Sequence, residues 1–111
     1  MAITQRPDEP FYRIDPEDAK RLIDEGKLRV IDVREPSEYA VDHLATAELI
    51  PLNSFLRDPS KVQGSGILFV CEMGQRSAVA AEMAAAAGLS EVYNLEGGMN
   101  AWRGKGLPVE R

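Results

Sequence analysis

The residues able to do chemistry are gathered in one short run, Cys71-Glu72-Met73-Gly74-Gln75-Arg76-Ser77, which holds the only cysteine of the chain. Gly74 lets the backbone curl so that successive N–H groups point inward. A thiolate at the floor of such a ring is a strong nucleophile, and the ring stabilises any anion built upon it. Attack on a sulfur that bears a good leaving group, such as the outer sulfur of thiosulfate, would leave a persulfide whose terminal sulfur is anionic. Amide dipoles around it would act as an oxyanion hole does for oxygen. Arg76 is expected to hold the sulfonate end of the donor with its planar fork, a bidentate role that lysine cannot match. Glu72 is expected to put a negative side chain at the mouth, where it would repel the thiosulfate dianion.

Such a ring must be presented by the elements on either side of it. The unbroken apolar run Ile67-Leu68-Phe69-Val70 predicts a strand buried on both faces, ending at Cys71. A helix is predicted from Ser77 to Ala87, with seven alanines and with Gly88 as its left-handed cap. The thiol thus falls in a strand-to-helix turn, where unpaired N–H groups and the helix dipole favour anions.

The rest of the chain reads in order around that turn. Residues 1–10 are expected to be a loose leader and 11–111 the domain, with a short edge strand at Phe11–Ile14. Asp15 and Pro16 suit the start of a helix that Gly26 ends. Strands are predicted at Leu28–Val33, Glu48–Leu52 and Val92–Leu95, a brief helical turn at Pro36–Tyr39, and a loop around a small helix between Asn53 and Gly66. Trp102 is expected to pack in the core. Strands alternating with helices predict a parallel α/β sheet covered on both faces, with its ligand crevice at the carboxyl ends of the strands, where Cys71 and Asp32 both fall. Asp32 and Arg34 read as a paired support of a strand end, and His43 as a hydrogen-bonded turn residue.

The chain's 111 residues bound it to one domain. A net charge of -5 argues against nucleic acid or an anionic membrane as principal partner. No apolar run approaches ~18 residues, and the first residues lack a secretion signal, so the cytoplasm is expected. One cysteine and one histidine are too few soft ligands for a zinc or iron–sulfur site; no metal and no cofactor is expected.

Taken together, Ile31-Asp32-Val33-Arg34, Glu38-Tyr39, His43-Leu44, Ile50-Pro51-Leu52, the loop from Cys71 to Ser77, the segment Val92 to Trp102, and Gly106-Leu107-Pro108-Val109 resemble a single-domain rhodanese, a thiosulfate or persulfide sulfurtransferase. The resemblance runs from Ile14 to Val109. It implies a five-stranded, mostly parallel sheet with flanking helices, a persulfide on Cys71, a cradle formed by residues 72–76, and ping-pong transfer to cyanide, a thiol, or a protein acceptor such as a thioredoxin-like reductant. The chain departs from the family pattern at Asp42, where glycine is common, at Ala45-Thr46-Ala47, and at Leu49. Two other readings stand beside it. Related phosphatases and arsenate reductases place five residues between cysteine and arginine, whereas four stand here. A non-catalytic binding or sulfur-carrier module is the other.

Overall fold

The computed structural model describes residues 3–111. Six strands form one sheet: β1 (Ile3–Thr4), β2 (Tyr12–Ile14), β3 (Arg29–Asp32), β4 (Glu48–Leu49), β5 (Ser65–Val70) and β6 (Ser90–Leu95). Their order is β1-β2-β6-β5-β3-β4, and all neighbours run parallel except β1 and β2. The expected count of five rises to six because Ile3–Thr4, within the segment read as a loose leader, pairs with β2. Accordingly β2 is not the edge. Met1 and Ala2 of that leader lie outside the described residues. The expected strand at Glu48–Leu52 stops at Leu49, because Pro51 has no N–H to offer the sheet and instead precedes a helix.

Five α-helices cover the sheet: α1 (Pro16–Asp24), α2 (Pro36–Val41), α3 (Leu52–Arg57), α4 (Gln75–Ala86) and α5 (Gly98–Gly104). Asp15 caps α1 by accepting from the Asp18 N–H at 2.9 Å, with Pro16 in the first position, as the sequence predicts. None of these helices is long and apolar enough to cross a membrane.

Strand β5 lies between β3 and β6, and its side chains alternate between two apolar layers. Ile67 and Phe69 join Ile31, Val33 and Phe55 on one face, under α3 and α4. Leu68 and Val70 join Val30, Leu95, Met99 and Trp102 on the other, under α1 and α5. Ala80, Ala81 and Ala84 are fully buried, so the middle of α4 seats closely on the sheet through small methyl side chains. Both layers are closed, which fixes the height at which β5 delivers its last residue to the loop.

Candidate active site

Three strand ends meet at the site. Asp32 at the end of β3 is in register with Val70 at the end of β5, and Phe69 is in register with Asn94 of β6. Cys71 follows directly, and the chain turns through Gly74, whose φ of +95° only glycine adopts without strain. Helix α4 begins at Gln75, two residues before the predicted start, so Arg76 belongs to its first turn. The second turn shaping the site is Gly97-Gly98. A Cβ on Gly98 would collide with the Cys71 carbonyl oxygen, and that carbonyl accepts from the Met99 N–H at 2.9 Å. The Glu72 carbonyl accepts from the Asn100 N–H at 3.0 Å. Start of loop and start of α5 are thereby bonded, with the Cys71 and Glu72 carbonyls engaged by α5.

Donors face the sulfur. The N–H groups of Gly74 and Ser77 point at Cys71 Sγ from 3.1 and 3.3 Å, and Ser77 Oγ lies 3.2 Å away. Cys71 itself is 1% exposed, at the floor of the ring. Ser77 Oγ donates to Asn94 Oδ1, and Asn94 Nδ2 donates to the Gly74 carbonyl at 3.1 Å. One buried amide therefore ties the helix start to the turn of the loop. A buried polar side chain persists only where its groups are paired, and Asn94 meets that demand.

Ionised side chains surround this neutral ring. Asp32 and Arg34 are fully buried, with Arg34 Nη2 2.8 Å and Nε 3.0 and 3.1 Å from the Asp32 carboxylate. Asp32 also accepts from the Arg34 backbone N–H at 3.0 Å, and Arg34 Nη2 donates to the Asp42 carbonyl at 2.6 Å. Glu72 receives Arg103 at 2.6 and 3.1 Å and Arg34 at 3.3 Å. Its charge is thus offset by two guanidiniums, which corrects the expectation of a bare repulsive carboxylate at the mouth. Asp42, where the family pattern commonly has glycine, receives Arg103 at 2.7 and 2.8 Å. Those hydrogen bonds hold its carboxyl below the ordinary range.

Arg76 directs Nη1 and Nη2 to the two oxygens of Glu38, at 2.7 and 2.8 Å. The fork expected to hold a sulfonate is therefore bonded within the protein. Hydrogen bonding to Arg76 draws the Glu38 carboxyl down to about 2. The same bond raises the Arg76 guanidinium further above its ordinary value, with the Cys71 sulfur among the lesser contributors.

Of the residues singled out from sequence, Cys71, Glu72, Met73, Gly74, Gln75, Arg76 and Ser77 form the turn itself, and Asp32 and Arg34 buttress its base. Met73 stands 56% exposed on its outer side. The His43 ring stacks on Tyr39 with centroids 3.8 Å apart, Nδ1 bonds the Tyr39 carbonyl at 2.9 Å, and its backbone bridges Glu110. Glu38, Asp42, Asn94, Gly98 and Arg103 were not singled out as site residues, although Glu38, Asn94 and Gly98 lie in segments that carry the resemblance and Asp42 is one of the departures from it. Of them, Asn94 alone carried a local physical signal, a lone amide among the apolar residues of a predicted strand.

The sequence model of the rhodanese-like domain matches residues 15–105. A thiosulfate sulfurtransferase GlpE of Pseudomonas fluorescens is 33% identical over 96 residues, 84% of this chain and 85% of that protein. Among solved structures, a rhodanese-related protein of Thermoplasma volcanium superposes with a TM-score of 0.78 at 29% identity, over 88% of this chain and 96% of that one. A protein of Rhodopseudomonas palustris described as a possible tyrosine phosphatase gives a TM-score of 0.76 at 28% identity, over 88% of this chain and 83% of the other. A domain match over most of the chain, relatives of similar length and a shared architecture agree: the chain belongs to the rhodanese-like family.

Proposed function

We propose that this protein is a sulfurtransferase that carries a sulfane sulfur on Cys71. The observation that supports this most is the convergence of the Gly74 and Ser77 N–H groups and the Ser77 hydroxyl on one sulfur atom, inside a turn with only four residues between cysteine and arginine. A ring of that size suits one added sulfur better than a tetrahedral phosphoryl group.

In the first half-reaction the Cys71 thiolate attacks the outer sulfur of the donor. A Cys71–sulfur bond forms, the donor's sulfur–sulfur bond breaks, and its electron pair leaves with sulfite from thiosulfate or with a thiolate from a persulfide. The terminal sulfur of the new persulfide carries the negative charge, and amide dipoles stabilise it without a cofactor. Ser77 adapts to both states. In the thiol form the S–H donates to Ser77 Oγ, whose own O–H donates to Asn94 Oδ1. Once the sulfur is anionic, that hydroxyl can turn and donate to it. In the second half-reaction cyanide or a thiol attacks the terminal sulfur, and the Cys71 thiolate leaves. A thioredoxin-like dithiol would complete the cycle by becoming a disulfide and releasing sulfide. Such a cycle requires a reducing compartment, for which the cytoplasm is the simplest choice.

Phosphate chemistry is kept as a second reading because of the Rhodopseudomonas palustris neighbour described as a possible tyrosine phosphatase. Intact mass separates the two. Incubation with thiosulfate or an alkyl persulfide should add one sulfur, about 32 Da, that cyanide removes and that Cys71→Ser lacks. No added sulfur from either donor, together with phosphate release from an aryl phosphate, would overturn the sulfurtransferase reading.

A further inference from the structure

Asp32 and Arg34 lie buried at the base of the loop and Glu38, Asp42, Glu72, Arg76 and Arg103 around it, and each guanidinium among them is engaged. Carboxylates outnumber guanidiniums by one. Arg34 is 1% exposed and spent on Asp32, the Asp42 carbonyl and Glu72. Arg103 is shared between Asp42 and Glu72. Arg76, the guanidinium within the catalytic turn, has Glu38 as its carboxylate partner, in a bidentate pair that is about one-third exposed on both sides.

We propose that Glu38 is a specificity-determining residue: it fills the anion site of Arg76, so the loop discriminates against doubly charged donors such as thiosulfate and favours alkyl persulfides. This deepens the sulfur-transfer reading above and rests on it. Three features of the geometry carry it. First, Glu38 is held from both sides, because its Oε1 also accepts the Glu35 N–H at 3.0 Å, in the first turn of α2 that Pro36 begins. A carboxylate so placed needs no reorganisation to compete with a ligand. Second, a sulfonate reaching for Arg76 must break two charge-assisted bonds and then sit beside the displaced carboxylate. Third, neither Arg34 nor Arg103 offers a free fork in its stead. An alkyl persulfide presents its outer sulfur to Cys71 and leaves as a single thiolate, so it has no need of a guanidinium clamp.

The test compares wild type with Glu38→Gln, which preserves size and the acceptor for the Glu35 N–H. One measurement is independent of sulfur transfer: the ratio of Cys71 alkylation rates by anionic iodoacetate and neutral iodoacetamide. That ratio should rise about five-fold, the scale of a well-formed, partly exposed ion pair. The thiosulfate KM should fall by a similar factor, while the KM for 2-hydroxyethyl persulfide moves by less than about two-fold. Adding Arg76→Gln should erase both shifts, which marks Glu38 as acting through Arg76. Should Glu38→Gln fail to fold, Glu38→Asp withdraws the carboxylate by one methylene and should shift the ratio in the same direction. An unchanged ratio, or an equal rise in the Arg76→Gln background, would overturn the proposal. Absence of sulfur on wild-type Cys71 from both donors would sink the sulfur-transfer reading instead, and the alkylation ratio would still decide whether Glu38 fills the anion site.

Discussion

The groups that touch the Cys71 sulfur are uncharged, whereas the next ring outward is built of carboxylates and guanidiniums. The inner ring is mostly backbone. Two of its donors are peptide N–H groups whose direction is set by Gly74, by Asn94 and by the start of α4, so ordinary surface substitution leaves them in place. The charged groups of the outer ring are all side chains, drawn from the end of β3 and the residues after it, α2, the turn after it, the loop, α4 and α5. Under the proposed chemistry, stabilising an anionic sulfur would be the work of the backbone and choosing the donor that of side chains that can change singly, so the two rings should respond to mutation in different ways.

The largest response belongs to the base of the outer ring. Arg34→Met leaves the Asp32 carboxylate buried without its partner, which should cost about 3–5 kcal/mol of stability. Urea unfolding measures it, and a loss below about 1 kcal/mol would mean that the Asp32–Arg34 pair contributes little to the base of the ring. A smaller effect is expected within the inner ring. Asn94→Ala strips a partner from Ser77 Oγ and from the Gly74 carbonyl, both at buried positions, for about 1–3 kcal/mol. Because it loosens the turn itself, it should also slow sulfur loading of Cys71 from thiosulfate and from a persulfide by the same factor. A donor-dependent slowing would erase the distinction between the rings.

The inner ring was largely legible before any coordinates. An apolar run that ends at a cysteine, a glycine three residues on and an alanine-rich helix leave one arrangement, in which peptide N–H groups gather at the strand exit. That inference uses neighbours in sequence, where geometry follows from local chemistry. The outer ring was not legible, because its bonds join residues far apart: Arg76 to Glu38, and Arg103 to Asp42 and Glu72. Periodicity says nothing about which carboxylate meets which guanidinium. Hence Glu72 read as a bare charge and Arg76 as a free fork, although each is paired. The sixth strand escaped notice for a related reason. Ile3–Thr4 is too short to show alternation, and its pairing is with β2, across the loop at residues 5–11. At Asn94 the signal existed, since an amide within an apolar strand demands partners, but only the register of β6 on β5 reveals that the partners lie in the turn that carries Cys71.

Acid should separate the rings most gently. In the folded protein the Glu38 carboxyl is drawn from its ordinary 4.5 to about 2, chiefly by its hydrogen bonds to Arg76. A group depressed in this way adds stability that is whole above its unfolded value and is lost as pH falls through the folded one. Because the pair is one-third exposed, water screens it, and the contribution at neutral pH should stay under about 1 kcal/mol. Glu38→Gln should therefore be slightly less stable than wild type above pH 5, with the gap closing between about pH 4.5 and pH 2. Urea midpoints taken along that range give the answer. The Asn94→Ala gap has no such charge behind it and should not close through Glu38, so parallel pH profiles for the two variants would show that the Glu38–Arg76 pair contributes nothing of its own.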